Sequence, residues 1–354
     1  MYLAVALDGH GSHPAAWRFV DEPVGSLFDP ARVTELARLA ERGLLDLATL
    51  DDQHPTNPEP GRAHGALDAS LALTAAAAQT VHIGLVPTCV VVGDPAVVAG
   101  RVETFDRIAG GRGGWRPRVA VTDEQKRQAA ADPTGQAAFT EERFAHATEF
   151  VGAVADFWDS WREESPADIG RVTRAGAWVD VSGYPRVPTA PDGPPLTAVL
   201  AHFTTPFRLA ARHADIVFVT PFSRAEVVAI RSELTELCAE LRELPAPLTV
   251  LADLDVVLAD TPTAAAHRRA ALEDAAGGAT DADTFTGTAA ELTELMTEWH
   301  RDGGVDGFRI RPAVLPEDLR RLVDDVVPKL QERNVFKREY RAPLRTRVRG
   351  VPIR

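Results

Sequence analysis

Short apolar runs alternate with amphipathic helical patterns along almost the whole chain, and this alternation limits the fold more than any other feature. It is the pattern of repeated β-α units and a parallel sheet. Leu3 to Leu7 reads as a first strand, and Asp29-Pro30 as an N-cap followed by Pro at the first helical position. Val33, Leu36, Ala37 and Ala40 then share one helical face. Further strands are expected at Leu44 to Leu50, Val81 to Val86, near Gly114-Trp115, and at Val199 to Phe203, Ile216 to Thr220, Leu248 to Ala252 and Gly307 to Ile310. Ser223 with Glu226 and Thr288 with Glu291 form capping boxes before two later helices. The count approaches eight β-α units, and 354 residues suit a decorated barrel. A doubly wound open sheet would normally hold fewer strands. No Gly-x-Gly-x-x-Gly follows a strand, so dinucleotide binding has no support. The expected fold is α/β, a (β/α)8 TIM barrel over residues 1–335. An irregular insertion at about 164–197 and a basic C-terminal arm, 336–354, complete it.

Charge excludes some functions. The formal net charge is -13, so the chain is a poor general binder of nucleic acid or anionic lipid. The last stretch is the exception: Lys337, Arg338, Arg341, Arg345, Arg347, Arg349 and Arg354 face a single acid, Glu339. Leu344, Val348 and Ile353 among them point to an arm docked on an acidic body or on a second subunit. Two cysteines, Cys89 and Cys238, are too few for a disulfide scaffold and read as buried, inert thiols. There is no metal-type Cys/His spacing, no basic start of a signal peptide and no membrane-length apolar stretch, so a cytoplasmic protein is expected.

Several strings, in order, resemble one family. They include His13-Pro14-Ala15-Ala16-Trp17-Arg18 after the first strand and Leu36-Ala37-Arg38-Leu39-Ala40-Glu41-Arg42-Gly43 in the first helix. Thr104-Phe105-Asp106-Arg107-Ile108-Ala109-Gly110-Gly111-Arg112, Phe157-Trp158-Asp159-Ser160-Trp161, Ala210-Ala211-Arg212-His213-Ala214-Asp215 and Gly304-Val305-Asp306-Gly307-Phe308 follow. Together they are similar to the bacterial luciferase-like flavin-dependent monooxygenases, in the branch of the nitrilotriacetate and dibenzothiophene-sulfone enzymes. The resemblance implies reduced FMN supplied by a separate flavin reductase and oxygenation of a small organic substrate through a flavin C4a-peroxide. It also implies a dimer, either a homodimer or a heterodimer with a paralogue. In a barrel the site lies at the C-terminal ends of the strands.

The resemblance places particular residues there. Asp52, after the second strand, matches an acidic position, and Thr88, after the third, matches a hydroxyl beside the flavin ring. His10 and His13 follow the first strand and are the catalytic candidates. His54 and His64 read as solvated loop histidines, and Trp158, Trp161 and Trp178 as core. The plainer reading of each site candidate is a cap, a turn hydroxyl or a surface imidazole. Three places depart from the family pattern. Arg116 stands where the family has Asn, and a guanidinium there is a fixed cation for phosphate or flavin oxygen. Arg143-Phe144 replaces Arg-Tyr. The segment that should hold the FMN phosphate reads Val199 to Phe207, with Phe203 in place of a hydroxyl and Pro206 lacking an amide donor. Thr204 and Thr205 are the remaining polar groups for cofactor binding in that segment. Two readings follow. One is a flavin-dependent oxygenase with an altered phosphate site, taking FMN or a deazaflavin. The other is a non-catalytic homologue that binds no flavin.

Overall fold

The computed structural model describes residues 1–52, 65–119, 133–162, 167–242, 247–279 and 283–350. Eight parallel strands close on themselves: β1 (Tyr2–Ala6), β2 (Leu47–Leu50), β3 (Gly84–Val90), β4 (Gly114–Arg118), β7 (Leu196–Ala201), β8 (Ile216–Val219), β9 (Thr249–Leu258) and β11 (Gly307–Pro312). Helices α1 (Pro30–Arg42), α2 (Ala69–Ala77), α3 (Pro95–Ile108), α4 (Pro133–Asp159), α5 (Thr204–His213), α6 (Arg224–Leu241), α7 (Pro262–Ala276) and α8 (Ala289–Glu298) pack around them. α9 (Glu317–Arg321) runs through a π-turn into α10 (Val327–Glu332). The structure is therefore the TIM barrel that the β-α alternation predicts. Among the described residues, no helix is long and apolar enough to cross a membrane.

Side chains alternate across each strand, so a barrel has two apolar layers. Leu3, Val5, Ala48 and Leu85 face the helices, in the larger cluster. Ala4, Leu47, Val86, Ala198, Ile216, Phe218 and Leu251 fill the lumen as a separate cluster. The last helix, α11 (Leu344–Arg349), sends Leu344 and Val348 into that lumen cluster. Contact is so close that a Cβ on Gly84 would stand 2.3 Å from Leu344 Cδ2.

Charge holds the basic stretch in place. Lys337 and Arg347 both bind Asp46, Arg349 binds Asp215, and Arg345 binds Asp106 and Asp192. The same aspartates anchor strand starts. Asp46 Oδ2 accepts from Leu3 N at 2.9 Å, Asp215 Oδ2 from Thr197 N at 2.8 Å, and Asp106 Oδ1 from Gly113 N at 2.8 Å. An acidic ring at the N-terminal end of the barrel thus serves both the backbone and the arm.

Several elements differ from expectation. β3 starts at Gly84, because Val81 to Ile83 give their amides to Glu41 Oε1 rather than to a neighbouring strand. β7 ends at Ala201, and Phe203 is already the N-cap of α5. The stretch at about 164–197 holds a hairpin of β5 (Val172–Ala175) and β6 (Asp180–Gly183). Trp178 lies in its turn and is 44% exposed, so it is not core. A short strand, β10 (Thr284–Gly287), pairs with the extended end of β9, which the apolar pattern did not single out. Cys89 and Cys238 are half-buried, and burial lifts the Cys89 thiol to about 11, so it stays a thiol.

Candidate active site

Period-2 alternation decides which side chains reach the C-terminal mouth. Counting on from the lumen residues Leu47, Val86, Phe218 and Leu251, the inward positions run through Thr49 to Asp51 after the second strand, and fall at Thr88, Thr220 and Asp253 on the others. Arg116, Arg309 and Asp8 occupy the corresponding level on β4, β11 and after β1. The apolar lumen therefore ends in a polar layer.

One hydrogen-bonded group spans three strands. Thr88 Oγ1 donates to Asp51 Oδ1 at 2.8 Å. Arg116 donates to Thr88 Oγ1 from Nε at 3.0 Å and from Nη2 at 2.8 Å, and its Nη2 also binds Asp51. Asp8 Oδ1 accepts from the Asp51 amide at 2.6 Å, which ties the group to the loop after β1. Arg116 is buried, and burial together with the charge of Arg309 pulls its guanidinium down to about 9. It remains a cation at neutral pH.

A second group completes the layer. Arg309 Nε donates to Asp253 Oδ1 at 2.7 Å and Nη2 to Oδ2 at 2.5 Å, a bidentate pair buried on both sides. Its guanidinium also stacks 4.3 Å over the Phe218 ring. Arg311 pairs with Asp255 at 3.1 Å, nearer the rim. His202 Nδ1 lies 2.7 Å from Thr220 Oγ1. Burial lowers the His202 pKa, Asp253 raises it, and Arg309, Arg311 and Arg116 lower it further, so the imidazole is neutral at pH 7.

The predicted residues divide. Thr88 and Arg116 meet in the central group. Asp51, not Asp52, is the acid that joins them; Asp52 gives its backbone carbonyl to Arg118 Nη1 at 2.9 Å. His10 and His13 are buried in the loop after β1. His10 Nε2 lies 3.3 Å from Ser26 Oγ, and burial and Arg32 lower its pKa. His13 Nδ1 accepts from Ala15 N at 3.2 Å. Neither contact reaches the Arg116 group. Thr204 and Thr205 form the first turn of α5, where Thr205 Oγ1 donates to Glu141 Oε1 at 2.5 Å. His54 and His64 lie outside the described residues. Sequence reasoning passed over Asp51, His202, Asp253 and Arg309. A usable signal existed, since charges at alternate positions in an apolar strand, as in Asp253-Leu254-Asp255 and Arg309-Ile310-Arg311, point one way.

The two departures at Phe144 and Phe203 meet in space. Their rings pack edge-to-face, with centroids 6.1 Å apart at 82°. Phe203 caps α5 without a side-chain hydrogen bond.

A family model described as luciferase-like monooxygenase matches residues 4–313. N-acetyl-S-(2-succino)cysteine monooxygenase of Bacillus subtilis (strain 168) is 25% identical, covering 96% of this chain and 93% of its own length. Nitrilotriacetate monooxygenase component A of Aminobacter aminovorans is also 25% identical, over 96% and 94%. Among solved structures, EDTA monooxygenase (EmoA) from Chelativorans sp. BNC1 has a TM-score of 0.86 at 22% identity, covering 99% of this chain and 98% of that one.

Proposed function

The chain belongs to the luciferase-like monooxygenase family, and on that premise we propose a flavin-dependent monooxygenase whose cofactor ring sits at the polar mouth of the barrel. The observation that carries this reading is the Asp51–Thr88–Arg116 group, which presents a planar cation and a carboxylate at the ends of three adjacent strands. The ring end of a flavin fits such donors and acceptors, because its polar edge carries carbonyl oxygens and an imide N–H. Bound reduced flavin supplies the chemistry: two electrons activate dioxygen, one oxygen atom goes to substrate and the other leaves as water.

The chain's own residues supply placement and exclusion of water. Arg116 and Thr88 orient the ring edge, and Asp51 fixes Arg116. The Arg309–Asp253 pair and the apolar lumen close the floor, so water does not enter from below. His202 is the neutral imidazole on the substrate side, able to hold a proton or give one up at a ring nitrogen. His10 and His13, buried in the loop after β1, are assigned to holding that loop in shape. The substrate is a small organic molecule.

A separate reductase delivers reduced flavin, in keeping with a relative that is named as one component of a system. A dimer through the barrel helices, the assembly that the family resemblance implies, completes this reading. A polar mouth together with the family match favours the enzyme over a non-catalytic homologue.

The test is anaerobic titration of the full chain with oxidised FMN, reduced FMN and a reduced deazaflavin, followed by absorbance and fluorescence. The expected result is saturable binding of reduced FMN. Binding of none of the three overturns the enzyme reading, and binding of the deazaflavin alone reassigns the cofactor.

A further inference from the structure

A phosphate dianion binds a protein best at a helix N-terminus, where free amides and the helix dipole converge. The helices that follow the barrel strands offer few such places. α1, α2 and α3 start with Asp29, Asp68 and Asp94, whose carboxylates accept from Ala31, Leu71 and Ala96 amides. Ser223 caps α6, and Glu226 Oε2 also takes the Phe222 amide at 2.8 Å. Thr261 caps α7, and Thr288 with Glu291 closes α8 in a full capping box. Each of these ends already holds a side-chain oxygen, and most hold a carboxylate.

α5 and the five-residue α9 have no capping side chain; α9 opens on Glu317 and Asp318, and α5 is unsuited to a dianion for other reasons. Its N-cap is Phe203, packed edge-on against Phe144. Pro206, the third residue of the helix, has no N–H. The Thr205 hydroxyl is already bonded to Glu141, so a full negative charge stands 2.5 Å from the one hydroxyl of that turn with a described partner. A phosphate placed there would meet an aromatic pair, a missing amide and a carboxylate. The ring site at the mouth fits a flavin, while these helix ends do not fit its phosphate.

We propose that this chain holds its flavin by the isoalloxazine ring and not by the phosphate, so that riboflavin is bound as well as FMN. The inference rests on the flavin reading above and concerns only how the cofactor is gripped. The mouth cations Arg116, Arg309 and Arg311 are each paired with an aspartate, which leaves the layer near neutrality and suited to an uncharged ligand. The overall charge of -13 also disfavours a dianion.

The experiment compares dissociation constants of FMN and riboflavin, both oxidised and both reduced, for the full-length chain in low-salt buffer. The expected ratio of riboflavin to FMN is below tenfold in either redox state. A ratio of tenfold or more, about 1.4 kcal/mol, overturns the inference and leaves the flavin reading intact. Failure of both flavins to bind overturns the flavin reading itself. A second measurement uses the double variant Phe203→Ser, Pro206→Gly. FMN affinity unchanged or raised relative to riboflavin agrees with an unused α5 terminus. A selective loss of FMN affinity in that variant means the wild-type terminus was already gripping phosphate, and overturns the inference.

Discussion

Arg116 on β4 and Asp51 at the end of β2 are bonded to each other across the strand that separates them, and Thr88 on that middle strand bonds to both. Three adjacent strands thus share one polar knot, and its position follows from period-2 alternation in a closed barrel. Arg116 enters as a planar fork that reaches two partners at once. Lysine at this position would keep the charge but lose the fork. Arg116→Lys is expected to raise the dissociation constant for reduced flavin about tenfold, or ~1.4 kcal/mol. Thr88→Val should weaken binding less, because Arg116 still holds Asp51. Flavin fluorescence titration with a circular-dichroism check of folding measures both. Unchanged affinity in Arg116→Lys would remove Arg116 from the flavin site.

Asp253 and Arg309 form a buried bidentate pair deeper in the same layer. Removing one partner strands a buried charge, whereas removing both leaves an apolar site. Asp253→Ala is expected to cost about 4 kcal/mol, and Asp253→Ala combined with Arg309→Leu much less. Chemical denaturation of the two variants decides the matter. Equal losses in both would mean that the pair contributes through packing rather than through its charges.

Glu103, on α3, is fully buried beside Asp106. Burial first, then the Asp106 charge, raise its pKa to about 7, while Arg345, the Ala190 amide and Arg107 pull it back. The raised value means that the folded chain binds this proton more tightly than the unfolded chain does. The associated stability is fully present below about pH 4.5 and is lost as pH rises through about 7, a change of about 3 kcal/mol. Glu103→Gln keeps a neutral side chain at all pH values. It should match the parent near pH 5 and melt at a higher temperature near pH 8. A fall in melting temperature between those pH values that is equally large in both proteins assigns the effect to another group.

Much of the barrel was legible because its signals are local. Asp29-Pro30, Asp94-Pro95 and Thr288 with Glu291 each mark a helix start by side-chain chemistry alone, and each cap is present. The mouth was harder to read. Thr88 and Arg116 were found through resemblance and through departure from it, whereas Asp51 was passed over for Asp52. One residue separates the two acids, and only the lumen register, Leu47 then Thr49 then Asp51, distinguishes them. β10 was missed because its four residues pair only with an extension of β9, a non-local contact with no apolar run of its own. The contact of Phe144 with Phe203 joins two positions nearly sixty residues apart, so two separate oddities of sequence become one feature only in space.

The arm beneath the barrel offers a last test, because two kinds of force hold it. Leu344 and Val348 complete the lumen cluster, and Arg347 with Lys337 neutralises Asp46, which is itself buried. Leu344→Ala removes apolar volume from a site that cannot collapse, since Leu47 and Gly84 are fixed in adjacent strands. It is expected to cost about 3 kcal/mol, with little dependence on salt. Asp46→Asn leaves Lys337 and Arg347 without their shared carboxylate while keeping an oxygen for the Leu3 amide. Its cost should shrink only modestly at molar salt, because salt reaches the partly buried Lys337 and Arg347 but screens a pair with the buried Asp46 far less than a surface pair. Melting temperatures at low and at molar salt separate the two. If both variants respond to salt alike, the arm is held by one kind of force, and lumen packing and the Asp46 ion pairs do not act separately.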